Sequence, residues 1–284
     1  MLTNIVVVRS VSKRYFGWKS RDVFTDVTFS IGKGECCAIV GENGSGKSTL
    51  LRVVGGMIPK TNGFITISGE IGYVPETSIN FQNLTLAEHL EFYRKMSGGN
   101  IDRLHHLNVL NLPLTGKPLK KFSKGMKRKF DIVRALISNP DVLILDEPFE
   151  GLDPSACHEI TELLREEKKN GRTILLASHD LAYVQKIADH TLLMKDGEIR
   201  VITGWESGKI AMHLSPSSIG EIEEVTRDLN CNVEKTGSSI RVVLGREDSI
   251  KLLGRLKNRG IEPVKTSTIS LEEAYLEEIK NSSK

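Results

Sequence analysis

Cysteine is scarce in this chain of 284 residues: there are four, Cys36, Cys37, Cys157 and Cys231. None forms a C-x-x-C pair, which speaks against zinc, and no disulfide framework is visible, as expected of a reducing compartment. Cys36 and Cys37 fall in the apolar run GECCAIVG and read as small buried residues. Long hydrophobic runs are also missing. No segment approaches the roughly 20 apolar residues needed to cross a bilayer. The opening MLTNIVVVRS has too short an apolar part, and no basic start, for a secretory signal. A soluble chain is expected, so any membrane process it serves needs spanning helices from another protein. Charge of one sign is not in excess either. A net charge of +3 is too small to mark a nucleic-acid binder. No internal repeat and no low-complexity segment occurs.

What is present is ordinary for a folded protein, 39% apolar and 26% charged. Residues 4–8 and 23–31 read as strands, the second with Val27, Phe29 and Ile31 alternating with polar residues. ECCAIV, DVLILDE and TILLASH are continuous apolar runs, typical of strands buried on both faces. ITISGEIGYV reads as two short strands turning near Gly69. Helices are expected over 85–97, where Thr85 and Glu88 have capping-box spacing, and over 123–138, stopped by Asn139-Pro140. A third opens at Asp153-Pro154 and closes at Asn170-Gly171. HTLLMKDGEIRVIT reads as a hairpin across Asp196-Gly197. Buried strands alternating with helices imply an α/β fold with a mostly parallel sheet. The first strands and the final hairpin alternate instead and are expected to form a smaller antiparallel sheet. After about residue 205 the pattern shifts to a small α+β appendage. Its strands are KIAMHL, SSIRVVLG and EPVKTSTIS, and its helices lie over 219–228, 247–258 and 271–281. The expected division is therefore 1–205, with a helical part at about 77–140, and 206–284.

Residues 41–48, GENGSGKS, satisfy G-x-x-x-x-G-K-[ST] between a buried strand and a helix, the context this phosphate-loop motif requires. Gly41, Gly44 and Gly46 let the backbone curl so that several N–H groups face one point, and the helix dipole adds positive potential. Lys47 brings a charge to the β- and γ-phosphates, and Ser48 offers a hydroxyl to Mg²⁺. Asn43, Ser45 and Thr49 complete the expected nucleotide-binding loop. VLILDEP places Asp146 and Glu147 at the carboxyl end of a buried strand, where ligands bind in parallel sheets. Asp146 is the expected partner of Mg²⁺. Glu147 is placed to orient a water and take its proton. An N-cap pair before a turn explains either residue alone, but not both downstream of a phosphate loop.

Further segments narrow the class. FSKGMKRK at 122–129 opens a helix shortly before the acidic strand. EGLDP occupies 150–154, GYVPE occupies 72–76, and His179 ends the strand after Glu147. In this order they resemble the signature, D-loop, Q-loop and switch histidine of the ABC ATP-binding cassettes. Tyr15 is similar to the aromatic that stacks on adenine in that family; Phe16 and Trp18 compete for the role. The resemblance runs from about residue 5 to 200. Two departures stand out: Lys124 and Met126 alter the usual LSGGQ, in a form similar to exporter-type cassettes, and Glu76 replaces the usual Gln. The closing SLEEAYLEEIK also resembles exporter-type cassettes with a C-terminal extension, though Leu271, Tyr275, Leu276 and Ile279 at helical spacing read first as core packing.

The resemblance implies that Ser123 and Gly125 form an anion site for the γ-phosphate held by an opposite subunit, so that two chains close around two ATP molecules. It implies that His179 contacts the γ-phosphate and the water at Glu147, and that Glu76 lies near the metal. A carboxylate at 76 loses the amide donors but keeps an acceptor for metal-bound water. The basic run Lys117, Lys120, Lys121, Lys124, Lys127, Arg128 and Lys129 reads as a solvated face that attracts nucleotide phosphate rather than nucleic acid. The reading is an ATPase, acting as a homodimer or beside a second ATPase subunit. It drives a separate membrane permease from the cytoplasmic face, with export as the direction. The alternative is a non-transport ABC ATPase acting on the ribosome or DNA. Ribosomal members usually carry two cassettes, and the segment from Glu76 to Ser123 is too short for the coiled coil of DNA-repair members. A dead regulator is disfavoured by the presence of Lys47, Asp146, Glu147 and His179, and a P-loop kinase by Ser123, Gly125 and His179 in this order.

Overall fold

The computed structural model describes residues 4–16, 20–97, 104–203, 205, 209–215, 219–236 and 239–281. The chain divides into two compact units, residues 1–201 and 202–284.

Among its described residues the first unit carries two sheets. One is antiparallel, ordered β2-β1-β4, from Asn4–Tyr15 (β1), Arg21–Gly32 (β2) and Asn62–Ile67 (β4). The other is six-stranded, ordered β5-β6-β7-β3-β8-β9. Its strands are Cys36–Val40 (β3), Ile71–Val74 (β5), Val142–Asp146 (β6), Thr173–Ala177 (β7), His190–Lys195 (β8) and Glu198–Ile202 (β9). From β5 to β8 every paired neighbour is parallel. β3, β6 and β7 are buried at every residue, as continuous apolar runs require. Cys36 and Cys37 lie among them as inert core residues; burial pushes the Cys37 thiol up to about 12 and raises Cys36 as well.

One sequence expectation about the sheets needs correction. The hairpin at Asp196-Gly197, both at positive φ, joins the main sheet and not the antiparallel one. ITISGEIGYV forms its two strands about Gly69 (φ 104°), β4 going to the antiparallel sheet and β5 to the edge of the main one. One core joins the sheets: Val6, Val8, Phe24 and Ile31 pack with Leu50 and Leu51 of helix α1 (Lys47–Val54) and with Ile144, Leu175 and Met194.

Among the described residues between β5 and β6 lie three α-helices: α2 (Leu86–Ser97), α3 (Leu104–Val109) and α4 (Lys124–Leu136). The α2 capping box forms as its spacing requires: the Thr85 N–H donates to Glu88 Oε2 at 2.7 Å and the Glu88 N–H to Thr85 Oγ1 at 3.3 Å. α5 (Pro154–Lys169) starts at Asp153, whose carboxylate accepts from the Ala156 N–H at 3.0 Å, and stops before Gly171 at φ 86°. α6 (Leu181–Ile187) and α3 are short elements that the sequence reading passed over.

The second unit runs β10 (Ile210–Leu214), α7 (Ile219–Thr226), β11 (Cys231–Thr236), β12 (Ser239–Leu244), α8 (Arg246–Asn258), β13 (Lys265–Thr268) and α9 (Leu271–Asn281). Its strand order β11-β12-β10-β13, antiparallel throughout, is that of a split β-α-β sandwich. Met212, Leu214, Val242 and Leu244 meet Ile222, Leu252 and Leu256 in its own core. β11 is the strand that sequence reading missed.

Candidate functional site

The six-stranded sheet ends its buried strands β3, β6 and β7 on the same edge, and the residues following each converge. After β3 the loop turns through Gly41 (φ 153°), Gly44 (φ 83°) and Gly46 (φ 110°), conformations that side chains rarely tolerate. A Cβ on Gly41 would lie 2.3 Å from the Met194 carbonyl oxygen. Gly46 is the N-cap of α1 and supplies no side-chain bond to the first turn. The N–H groups there are left for an anion. The Ser45 hydroxyl is likewise buried without a hydrogen-bond partner.

Lys47 is buried, and its ammonium donates to the Gly41 and Glu42 carbonyls at 2.8 and 3.1 Å. These bonds hold the loop closed around the charge. At the end of β6, Asp146 accepts from the Ser48 hydroxyl at 2.8 Å. Burial raises the Asp146 pKa, opposed by the Ser48 bond. Its second oxygen, Oδ2, is buried with no partner. A desolvated carboxylate with an orphaned oxygen, touching a hydroxyl at the phosphate loop, fits a small oxygen-seeking cation such as Mg²⁺. Glu76 is exposed and lines the same cleft.

Glu147 sits at φ 48°, a left-handed conformation unusual for a non-glycine residue. Its carboxylate lies between two cationic or polarisable groups. Lys47 Nζ is 3.7 Å from Oε1. His179 Nδ1 is 3.0 Å from Oε2, which also accepts the His179 N–H at 3.3 Å. His179 thus touches Glu147 directly. These groups wall a cleft of 460 Å³ that also takes in Asn43, Gly44, Thr49 and Tyr15. Of the three competing aromatics, Tyr15 lines the cleft, Phe16 is exposed and does not line it, and Trp18 lies outside the described residues. Arg21, Val23 and Glu150 also line it. Arg21 is the first residue of β2 and Glu150 opens EGLDP; nothing in their spacing marked them.

Ser123 and Gly125 are not in this wall. Ser123 caps α4 with its own hydroxyl, which accepts from the Met126 N–H at 3.2 Å. A Cβ on Gly125 would meet nothing closer than Ala156 Cβ at 3.5 Å. The basic run around them is not uniformly solvated, contrary to expectation. Lys117, Lys120, Lys121 and Lys124 are exposed and Lys127 half-buried, but Arg128 and Lys129 are buried. Lys129 pairs with Glu159 at 2.6 Å.

Comparison with known proteins agrees with this arrangement. Residues 24–150 match the family described as ABC transporter. An uncharacterized ABC transporter ATP-binding protein of Methanocaldococcus jannaschii is 29% identical over 274 residues, 93% of this chain and 96% of that protein. The lantibiotic transport ATP-binding protein SrtF of Streptococcus pyogenes is 34% identical over 198 residues, 66% of this chain and 86% of its own. Among solved structures, a dimeric ATP-binding cassette in a post-hydrolysis state bound to ADP and Pi superposes with a TM-score of 0.64 at 25% identity. The match covers 70% of this chain and 99% of that one.

Proposed function

This chain belongs to the ABC transporter family as an ATP-binding ATPase subunit, and from that premise we infer that it hydrolyses ATP at a site completed by a second chain. The observation that carries the reading is Glu147, strained at φ 48° and bracketed by Lys47 and His179 at the floor of the phosphate-loop cleft. Phosphates of ATP seat on the N–H groups of the loop and the α1 N-terminus, with Lys47 against the β- and γ-oxygens and Tyr15 against the adenine. Mg²⁺ held beside Ser48 and Asp146, with Glu76 nearby, supplies charge neutralisation when bound. Glu147 orients a water against the γ-phosphorus and accepts its proton as the new P–O bond forms and the bond to the ADP oxygen breaks. His179, fixed on Glu147, steadies that carboxylate and reaches the γ-phosphate.

The Ser123 and Gly125 turn serves the ATP of a partner chain, either a second copy or another ATPase subunit. No helix of the described residues is long and apolar enough to cross a membrane, so we assign the spanning part to separate permease subunits. An apolar surface suits such a partner. Ile79, Phe81 and Met96 are exposed between Glu76 and the end of α2, and the Phe81 ring meets Phe92 edge-on at 5.4 Å. Export as the direction draws support from the signature variant and from the lantibiotic transport relative. The chain then works at the cytoplasmic face. Residues 202–284, with their own core, are assigned an accessory role outside the ATP chemistry.

Glu147→Gln tests the reading. It leaves the phosphate-binding groups in place and removes the base, so hydrolysis falls by about 10²–10⁴-fold while ATP still binds. The ATP-bound form then accumulates as a dimer, seen by light scattering. Wild-type turnover in this variant, or a strict monomer with ATP bound, contradicts it.

A further inference from the structure

Arg128 sits in α4, and the chemistry described so far gives it no task. It is 6% exposed. Burial draws its pKa down, against Asp131, Asp146, Glu150 and Glu147, which hold the charge on. A packing role would be met by an apolar side chain at no such desolvation cost, so its hydrogen bonds are the feature to explain.

They centre on one peptide. The N–H of Glu147 donates to the Ala177 carbonyl on β7 at 2.9 Å. Across that same planar unit the Asp146 carbonyl points the other way, toward β5. On that side the ladder ends at Val74 opposite Leu145, and the next residue, Pro75, has no N–H to give. Arg128 supplies the missing donor. Its Nη2 donates to the Asp146 carbonyl and, at 2.7 Å, to the Glu147 carbonyl. Its Nη1 donates to the Pro75 carbonyl at 2.5 Å. One guanidinium therefore closes the gap between the acidic strand end and the segment leading to Glu76. The same helix face repeats the grip at helical spacing. Asp131 accepts from the Ser78 hydroxyl at 3.2 Å and from the Asn80 amide, and Arg134 donates to the Tyr73 carbonyl at 3.4 Å.

We propose that Arg128 is a positioning residue for hydrolysis: it clamps the strained Asp146–Glu147 peptide, thereby aims the Glu147 carboxylate, and ties that aim to the segment Pro75–Asn80. The proposal rests on Glu147 being the general base. Lys47, Ser48 and the α1 N-terminus make no bond to Arg128, so loss of the clamp acts on the chemical step and spares nucleotide affinity. It also makes α4 a single lever, because a movement that shifts the signature turn shifts the Glu76 segment and the base together.

The test uses the full chain with R128A and R128K, checked for fold by circular dichroism. Steady-state ATP hydrolysis is measured beside equilibrium binding of a trinitrophenyl-ATP probe. In R128A kcat falls by about tenfold to hundredfold, the scale expected of a misaimed catalytic group, with KM and Kd within about threefold of wild type. R128K falls between, since one ammonium cannot span three carbonyls on two segments. Guanidinium, added below denaturing concentrations, restores part of the R128A rate, because the vacated space opens on a cavity of 480 Å³ lined by Glu76, Lys127 and Asp131. It does nothing for Glu147→Gln. Wild-type kcat in R128A, or a loss confined to KM and Kd, overturns the proposal. So does a fall that R128K shares in full and guanidinium leaves unchanged, which marks lost packing. Should R128A fail to fold, R128K decides: unchanged kcat overturns the proposal, and reduced kcat with unchanged Kd upholds it. Glu147→Gln in parallel separates the two claims. Fast hydrolysis there removes the general-base reading itself, whereas slow hydrolysis there beside fully active Arg128 variants removes only the clamp.

Discussion

Two helices of the first unit open with residues suited to an anion, and their first turns are built in opposite ways. α1 follows Gly46, in the left-handed region, which offers its first-turn N–H groups no side-chain cap, and it opens into the cleft. α4 follows Ser123, in an extended conformation, whose hydroxyl already accepts the Met126 N–H. Its turn forms no part of the cleft wall. A helix start with unsatisfied N–H groups, enclosed by its own chain, is ready for phosphate. One that caps itself and faces outward is stable alone and needs its ligand brought by another surface. The difference supports one chain binding ATP with α1 and acting on a neighbour's ATP with α4.

The largest effect falls on the α1 side. Lys47→Ala removes both the charge at the phosphates and the bonds that close the loop on Gly41 and Glu42. We expect hydrolysis to drop by at least about 10²–10³-fold, the scale for losing one preorganised donor, and ATP binding to weaken. Phosphate release and nucleotide binding measure this, and wild-type turnover would remove the phosphate loop from the mechanism.

A matched pair of glycine substitutions sharpens the contrast. Gly41→Ala forces a Cβ against the Met194 carbonyl at 2.3 Å and at φ 153°, which costs about 1–3 kcal/mol of stability and disrupts binding within one chain. Gly125→Ala meets nothing closer than 3.5 Å and gains helix propensity of up to about 1 kcal/mol. Its melting temperature and single-chain ATP affinity hold or rise, while hydrolysis falls because a second chain must approach there. Full hydrolysis in Gly125→Ala would dissolve the contrast. The smallest effect is the cap. Ser123→Ala loses about 1 kcal/mol, read as a modest drop in melting temperature; no drop would mean the Met126 bond contributes nothing.

Much of this was legible from sequence because it is local. A phosphate loop, a capping box at Thr85 and Glu88, and a Pro154 helix start are set by residues a few positions apart. The place of Asp146 and Glu147 at the end of a buried strand was legible because the apolar run VLIL stops there. Sheet membership was harder to read. β9 alternates because it is the edge strand of the main sheet, and alternation reports a half-covered strand without naming which sheet covers it. Arg128 and Lys129 read as surface because charged residues are rarely buried unpaired. The groups that satisfy them, the Pro75 and Asp146 carbonyls and Glu159, are brought up only by the fold. Glu150 and Arg21 carried no spacing signal, and their place in the cleft comes from the packing of separate segments.

If each ATP is handled by two chains, tethered heterodimers reveal it. In the first, one chain carries Lys47→Ala and the other Gly125→Asp, a carboxylate that repels the γ-phosphate. In the second, one chain carries both changes and its partner is wild type. A shared site leaves the first heterodimer with one intact site and one doubly broken, and leaves both sites of the second broken by half. More ATP hydrolysis, or more ATP-driven closure if turnover needs both sites, is expected in the first. More in the second would place the whole site within a single chain and contradict a shared site.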